Sequence, residues 1–139
     1  MRPNATALQI LSERFGKDSL IALATFDGAF PSVRTVDAWY EDGCFICVTN
    51  ARSNKMRQIA ANAHVGVAGE WFTGHALAEN LGPFSAPENA RLAARLREAF
   101  ALWLDNGHTD PADPDTIILR LRLVDGLLLS HGARYELEF

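Results

Sequence analysis

Two Asp-Gly pairs, Asp27-Gly28 and Asp42-Gly43, divide the first half of the chain into three β-rich segments: SLIALATF (19–26), FPSVRTVDAWYE (30–41) and CFICVT (44–49). Both residues of such a pair tolerate positive φ, which a tight hairpin turn requires, so each pair reverses the chain instead of sending it into a crossover. An antiparallel meander of three strands is the consequence. A parallel nucleotide-binding sheet is the wrong architecture for this pattern, because the strand-helix-strand alternation it needs is missing and neither GxGxxG nor a P-loop occurs.

The segments around the meander complete an α+β pattern. Residues 4–15 place Leu8, Leu11 and Phe15 at helical spacing behind a capping Asn4, with Gly16 as the stop. A short helix is expected over 53–62, capped by Ser53 or Asn54, with Met56, Ile59 and Ala60 facing inward. Two further strands are read over 64–71 and 72–79, where Gly66, Gly69 and Gly74 signal bulges or close backbone approach. Ser85-Ala86-Pro87-Glu88 reads as a capping box opening a helix with the stripe Leu92, Leu96, Ala99, Phe100 and Trp103, ended by Asn106-Gly107. In 116–124 the residues Ile117, Leu119, Leu121 and Leu123 alternate with Arg120 and Arg122, as in a half-buried strand. Asp125-Gly126 reads as another hairpin turn, leaving 126–139 for a last strand and tail. Without linker, repeat or low-complexity segment, residues 1–139 form one domain, an open or closed antiparallel barrel with peripheral helices.

Charge and composition narrow the function. A net charge of −4 and a pI near 5.5, with no strand face interleaving basic and aromatic residues, argue against nucleic acid or an anionic membrane as partner. The start, Met1-Arg2-Pro3-Asn4, is polar where a signal peptide would be apolar, and no run of ~18 apolar residues occurs. A soluble, cytoplasmic protein is expected. Cys44 and Cys47 form a Cys-x-x-Cys, but positions i and i+3 of a strand point to opposite faces, so the two thiols are read as small apolar residues and not as a metal or redox pair. His64, His75, His108 and His131 lack ligand spacing, and no metal site is expected. His75, beside Gly74, reads either as a proton donor or substrate contact or as a hydrogen-bonded strand histidine; His131 and Arg134 carry the same two readings. No catalytic set is assignable.

The segment from Arg34 to Trp71 carries the chemistry. It puts Arg34 on one strand, Thr49 and Asn50 at the end of the next, and Ser53, Asn54 and Lys55 at a helix start, where free backbone N–H groups and the helix dipole favour an anion. Ordinary helix capping accounts for the Ser-Asn-Lys triplet as well. Arg52, in the loop, is a further cation within reach.

In order and spacing this segment, with its flanks from about Ser19 to Val124, resembles the pyridoxamine 5′-phosphate oxidase-like superfamily of FMN-binding split barrels. Arg34-Thr35-Val36 stands where the oxidase has an Arg-x-Val strand against the flavin ring and ribityl chain. Val48-Thr49-Asn50 stands where the family's next strand ends in an aromatic residue followed by Thr-Asn. Ser53-Asn54-Lys55 matches the phosphate-holding Ser-Arg-Lys, and Gln58-Ile59 and Asn62-Ala63 follow where the family has an apolar turn and Asn-Pro. Asn54 replaces the arginine and Trp39 a lysine, and His131-Gly132-Ala133-Arg134 differs from the oxidase's Arg-x-His. The shorter members, general-stress and nitroimidazole-reductase-like proteins, are the closer match.

The resemblance implies an FMN-dependent oxidoreductase acting on a small molecule, reduced by a nicotinamide or another small donor. It also implies a homodimer with two flavin sites built from both subunits. Arg34, Thr35 and Val36 would lie along the flavin, Thr49 and Asn50 at its ribityl or phosphate region, and Ser53, Asn54 and Lys55 on the phosphate. Trp39, Trp71 and Phe72 are candidates for the subunit contact or for the core. The alternative is a non-catalytic split barrel for haem, deazaflavin or a phosphorylated metabolite.

Overall fold

Asn4 opens the first helix as a true cap: its Oδ1 accepts from the backbone N–H groups of Thr6 at 2.8 Å and Ala7 at 3.2 Å. The computed structural model describes residues 4–139, so Met1, Arg2 and Pro3 of the polar start lie outside the described residues. Helix α1 (Ala5–Phe15) buries Ala7, Leu11 and Phe15, while Leu8 is only half-buried against the core.

The meander forms as the Asp-Gly pairs dictate. β1 (Ser19–Phe26), β2 (Pro31–Glu41) and β3 (Cys44–Asn50) are antiparallel neighbours, and Asp42 and Gly43 turn the second corner with φ of 48° and 77°. Helix α2 (Asn54–Ala61) follows, then β4 (His64–Gly69), β5 (Phe72–Pro83), α3 (Ala90–Ala99), β6 (Thr116–Ser130) and β7 (Ala133–Glu138). The strands run in the order β3-β2-β1-β4-β5-β6-β7, and a β3–β6 pairing closes the first six into a barrel with β7 as an added strand. The α+β barrel with peripheral helices is the architecture read from the sequence.

Two apolar cores flank the wall formed by β3 and β6. Inside the barrel, Phe45 meets Phe15 edge-on at 5.4 Å between ring centres and Phe72 at 6.2 Å, and α1 plugs this end through Leu11 and Phe15. Outside it, Ile46 and Ile118 pack under Phe84, Ala93, Leu96, Phe100 and Leu104. The wall is therefore covered on both faces, which is why Ile118 is buried despite facing away from Ile117, Leu119 and Leu121. Cys47 belongs to the inner core and Cys44 packs against the outer one, on opposite faces as strand geometry requires. Among the described residues no helix is long and apolar enough to cross a membrane, and no group of three His, Cys, Asp or Glu residues is placed to hold a metal ion.

The structure corrects several local readings. Asp125-Gly126 is not a turn: β6 runs straight through it, and the chain reverses at His131 and Gly132, with φ of 50° and 77°. Gly126 serves a packing need instead, since a Cβ there would stand 2.6 Å from the Phe72 ring. Ser85 makes no capping box; Pro87–Asn89 form a 3-10 turn first, and Asn89 is buried with its amide donating to the carbonyls of Leu81 and Pro83, both at 2.9 Å. Helix α3 stops at Ala99, short of Asn106-Gly107, and buries Ala93 and Leu96 while Leu92 and Trp103 are only partly covered. Ala60 faces solvent.

Candidate functional site

The barrel is open along one line. β2 is laddered to β1 from Ala38 to Pro31, and β3 to β6 from Cys44 to Asn50, yet β2 and β3 pair only at Trp39↔Ile46, Tyr40↔Phe45 and Glu41↔Cys44. Beyond Trp39 the two strands part, and the backbone groups that each turns toward the gap have no strand partner there. Such groups must bond to something else, a ligand or water.

A cavity of about 190 Å³ lies in this seam, lined by Val36 and Asp37 of β2, Cys47, Val48 and Thr49 of β3, Lys55 of α2, and Trp103 and Leu119. Because it opens between strand edges, neighbouring residues from both faces of each strand reach it. Lys55 is its one cation. The Lys55 ammonium donates to Thr49 Oγ1 at 2.6 Å and to Ser53 Oγ at 3.5 Å. Burial lowers the Lys55 pKa, the Arg34 guanidinium adds to that, and the Cys47 thiol opposes it. Among the described residues no carboxylate forms an ion pair with Lys55 or Arg34. A half-buried, desolvated cation held only by hydroxyls is an arrangement that an incoming anion relieves.

Arg34 acts on this site through its field. Its Nη1 donates to Thr25 Oγ1 at 2.7 Å and to the Leu23 carbonyl at 3.1 Å, and its Nη2 to Gln58 Oε1 at 3.3 Å, while Thr25 in turn donates to Gln58. The guanidinium thus ties β1, β2 and α2 together and does not line the cavity. Burial holds its pKa below the usual arginine value.

Of the eight residues picked from the sequence, Val36, Thr49 and Lys55 line the cavity, Ser53 contacts Lys55, and Arg34 stands behind. The others diverge. Thr35 points to the opposite face of β2 and is exposed. Asn50 uses its side chain in the loop, accepting from the Arg52 N–H at 2.8 Å. Asn54 is exposed at the helix start, and Ser53 is the N-cap by position but makes no side-chain cap bond. Arg52 turns away to Asp115, 2.9 Å from its carboxylate, and adds no charge to the seam.

Asp37, Cys47 and Trp103 were not legible as site residues. Asp37 sits one residue past the Arg-x-Val triplet, and only the parting of the strands brings it to the cavity. Trp103 arrives from beyond α3, across the outer core, with its ring 4.9 Å from Phe100. Trp39 is half-buried beneath the Arg95 guanidinium, 4.9 Å from the ring centre. Of the remaining aromatic candidates, Phe72 is core and Trp71 is exposed.

His75 lies on the outer sheet face. Its Nδ1 is 2.9 Å from Asp125 Oδ1, and its backbone N–H donates to the same oxygen at 3.1 Å. The strand registers align Val33, Ala24, Gly66, His75 and Asp125 in one row across this face, and Thr35, Ala22, Ala68, Thr73 and Leu127 in the next. The face is thus small-sided in the middle, with Leu20 and Val33 exposed by 65% and 69% at one side. His131 and Arg134 lie toward the β6–β7 turn, where Arg134 pairs with Glu136 at 3.1 Å.

Neither a protein-family model nor a curated protein matches the sequence. Solved structures do. The fold is similar to that of general stress protein 26 from Bacillus anthracis (TM-score 0.69, 16% identity, 94% of this chain and 97% of that one). It is similar to a NimC/NimA family protein from Clostridium acetobutylicum (0.68, 18%, 94% of each chain). It is also similar to a FAD-binding protein from Mesorhizobium loti (0.67, 12%, 85% of this chain and 90% of that one). These likenesses show the fold: the chain is a split barrel.

Proposed function

We propose that this chain is an FMN-dependent oxidoreductase that works as a homodimer in the cytoplasm on a small molecule, with the phosphate of the cofactor received at the seam between β2 and β3. The observation that carries the reading is Lys55: a half-buried ammonium bonded to Thr49 and Ser53, facing a cavity between unpaired strand edges, and in ion pair with no carboxylate among the described residues. Ammonium and hydroxyl donors fit a phosphate, and charge-assisted bonds of this type are the strong ones.

The reading requires a second copy. At about 190 Å³ the seam cavity accommodates a headgroup, whereas sites for whole cofactor-sized ligands run to roughly 300–1,000 Å³. The flavin ring would lie outside it, toward the outer face where Leu20 and Val33 are exposed, and a twofold partner laid on that face completes the enclosure. When bound, FMN supplies the redox chemistry, and a nicotinamide or similar small donor the electrons. The chain's own residues then bind and orient: Lys55, Thr49 and Ser53 the phosphate, and the β2 edge at Val36 the body of the cofactor. Structures of similar fold include a FAD-binding protein from Mesorhizobium loti, a heme storage protein from Vibrio cholerae and an F420 reductase, so the choice of FMN rests on the fit of the seam to a phosphate.

The absorbance spectrum of the purified protein tests this, followed by titration with FMN and sedimentation of the complex. Flavin bands, or saturable FMN binding by a dimer, support the reading. A haem Soret band, or no FMN binding at all, defeats it.

A further inference from the structure

The seam carries an acid where an anion site is expected to have none. Asp37 lines the same cavity as Lys55, yet the two form no ion pair. Its carboxyl stands beside that of Asp18, at the junction of α1 and β1, close enough for one proton to bridge them, and Asp18 Oδ1 is buried without a partner. Two carboxylates in contact, one with a buried and otherwise unpartnered oxygen, cannot both ionise cheaply; a proton between them removes the repulsion and supplies the bond. Pairing of Asp37 with Asp18 also leaves the Lys55 ammonium uncommitted.

Other charged and titratable groups around the seam do not replace that proton. Lys55 faces it from α2 and the Cys47 thiol from β3, while Arg34, on Asp37's own strand, is committed to Leu23, Thr25 and Gln58. Burial and the Asp18 carboxyl push Asp37 up to about 6, so above neutral pH Asp37 releases its proton.

We propose that Asp37 is the charge-selecting residue of the seam: an anionic headgroup enters beside Lys55 only while the Asp18–Asp37 pair holds a proton, taken from solvent as the headgroup binds. The site then discriminates a phosphate ester from its uncharged analogue through proton uptake, and the discrimination fades as pH rises. The inference rests on the reading of the seam as an anion site.

The test is FMN titration of the full chain from pH 6.5 to 8.5, read by flavin fluorescence, with riboflavin as the uncharged control. Wild-type affinity for FMN is expected to fall by up to about tenfold per pH unit, the limit for uptake of one proton. Asp37→Asn should flatten that fall and bind FMN more tightly at pH 8.5, and riboflavin affinity should stay level in both proteins. Asp18→Asn, whose amide can donate to an ionised Asp37, should move the onset of the fall to lower pH. An unchanged slope in Asp37→Asn, or the same slope with riboflavin, overturns the proposal. If FMN binds at no pH, the flavin reading has failed, and the acid pair is tested with inorganic phosphate alone. Phosphate should then raise the melting temperature more at pH 6 than at pH 8 in wild type and equally in Asp37→Asn; equal shifts in both proteins overturn it.

Discussion

The Lys55 ammonium stands 2.6 Å from the Thr49 hydroxyl at the place where β2 and β3 part, with no carboxylate partner among the described residues. The opposite side of the seam carries Asp37, beside a second acid, Asp18. Cation and acid share one cavity without forming an ion pair.

Removing the cation should weaken phosphate anchoring and little else. Lys55→Ala is expected to cost about 1.5–3 kcal/mol of FMN affinity, the contribution of a hydrogen bond to a charged group. Riboflavin affinity should hold, and so should the melting temperature, because the variant also removes a desolvated charge. Arg52→Ala, at a side chain that pairs with Asp115 at the surface, should leave FMN binding unchanged. Equal losses for FMN and riboflavin in Lys55→Ala would point to a packing defect in place of a phosphate contact.

Stability should carry the mark of the acid pair. The ordinary Asp value is 3.8 and Asp37 in the fold is near 6, so the native state holds the proton more tightly than the unfolded chain. The stabilisation is therefore complete below pH 3.8 and is lost as pH rises through about 6. Melting curves of wild type and Asp37→Asn should converge near pH 4 and separate above pH 6.5, with the variant the more stable. Parallel curves across that range would show that Asp37 titrates normally.

Close approach at two glycines gives a prediction independent of any ligand. A Cβ on Gly126 would lie 2.6 Å from the Phe72 ring, and one on Gly74 2.5 Å from the Asp125 carbonyl oxygen, whereas on Gly66 it would meet only the Ala24 methyl at 3.6 Å. Gly126→Ala and Gly74→Ala should each destabilise by about 1–3 kcal/mol, as overpacking does, and Gly66→Ala should be close to neutral. Urea unfolding of the three variants checks the ranking; a Gly66→Ala as damaging as the others would refute this account of the β5–β6 contact.

The proposed subunit contact is testable on the outer face. Val33 is 69% exposed on a barrel wall whose neighbouring positions are Ala22, Ala24, Gly66 and Ala68. Val33→Glu should shift the sedimentation coefficient from dimer to monomer without unfolding the barrel, since the side chain contributes nothing to either core. FMN affinity should fall with it. A variant that stays dimeric would move the interface elsewhere.

Features set by neighbours in the chain were legible in the sequence. Asn4 capping α1, Asp42-Gly43 turning between β2 and β3, and the alternation of Leu119, Leu121 and Leu123 with Arg120 and Arg122 each depend on backbone preferences over a few residues. These sufficed for an antiparallel barrel. The same local logic misread Asp125-Gly126 as a turn, because nothing nearby reveals that Phe72, on another strand, needs the space above Gly126.

What the tertiary structure decided is which side chains share the seam. Local pattern could not show that Arg34 is bound into the Thr25–Gln58 network, that Arg52 leaves for Asp115, or that Asp37 and Trp103 line a cavity with Lys55. The cause is geometric. A strand's sequence fixes which residues alternate between its faces, but where two strands separate is fixed by the partners on their far edges. β1 holds β2 and β6 holds β3, and the gap left between them selects the residues that meet.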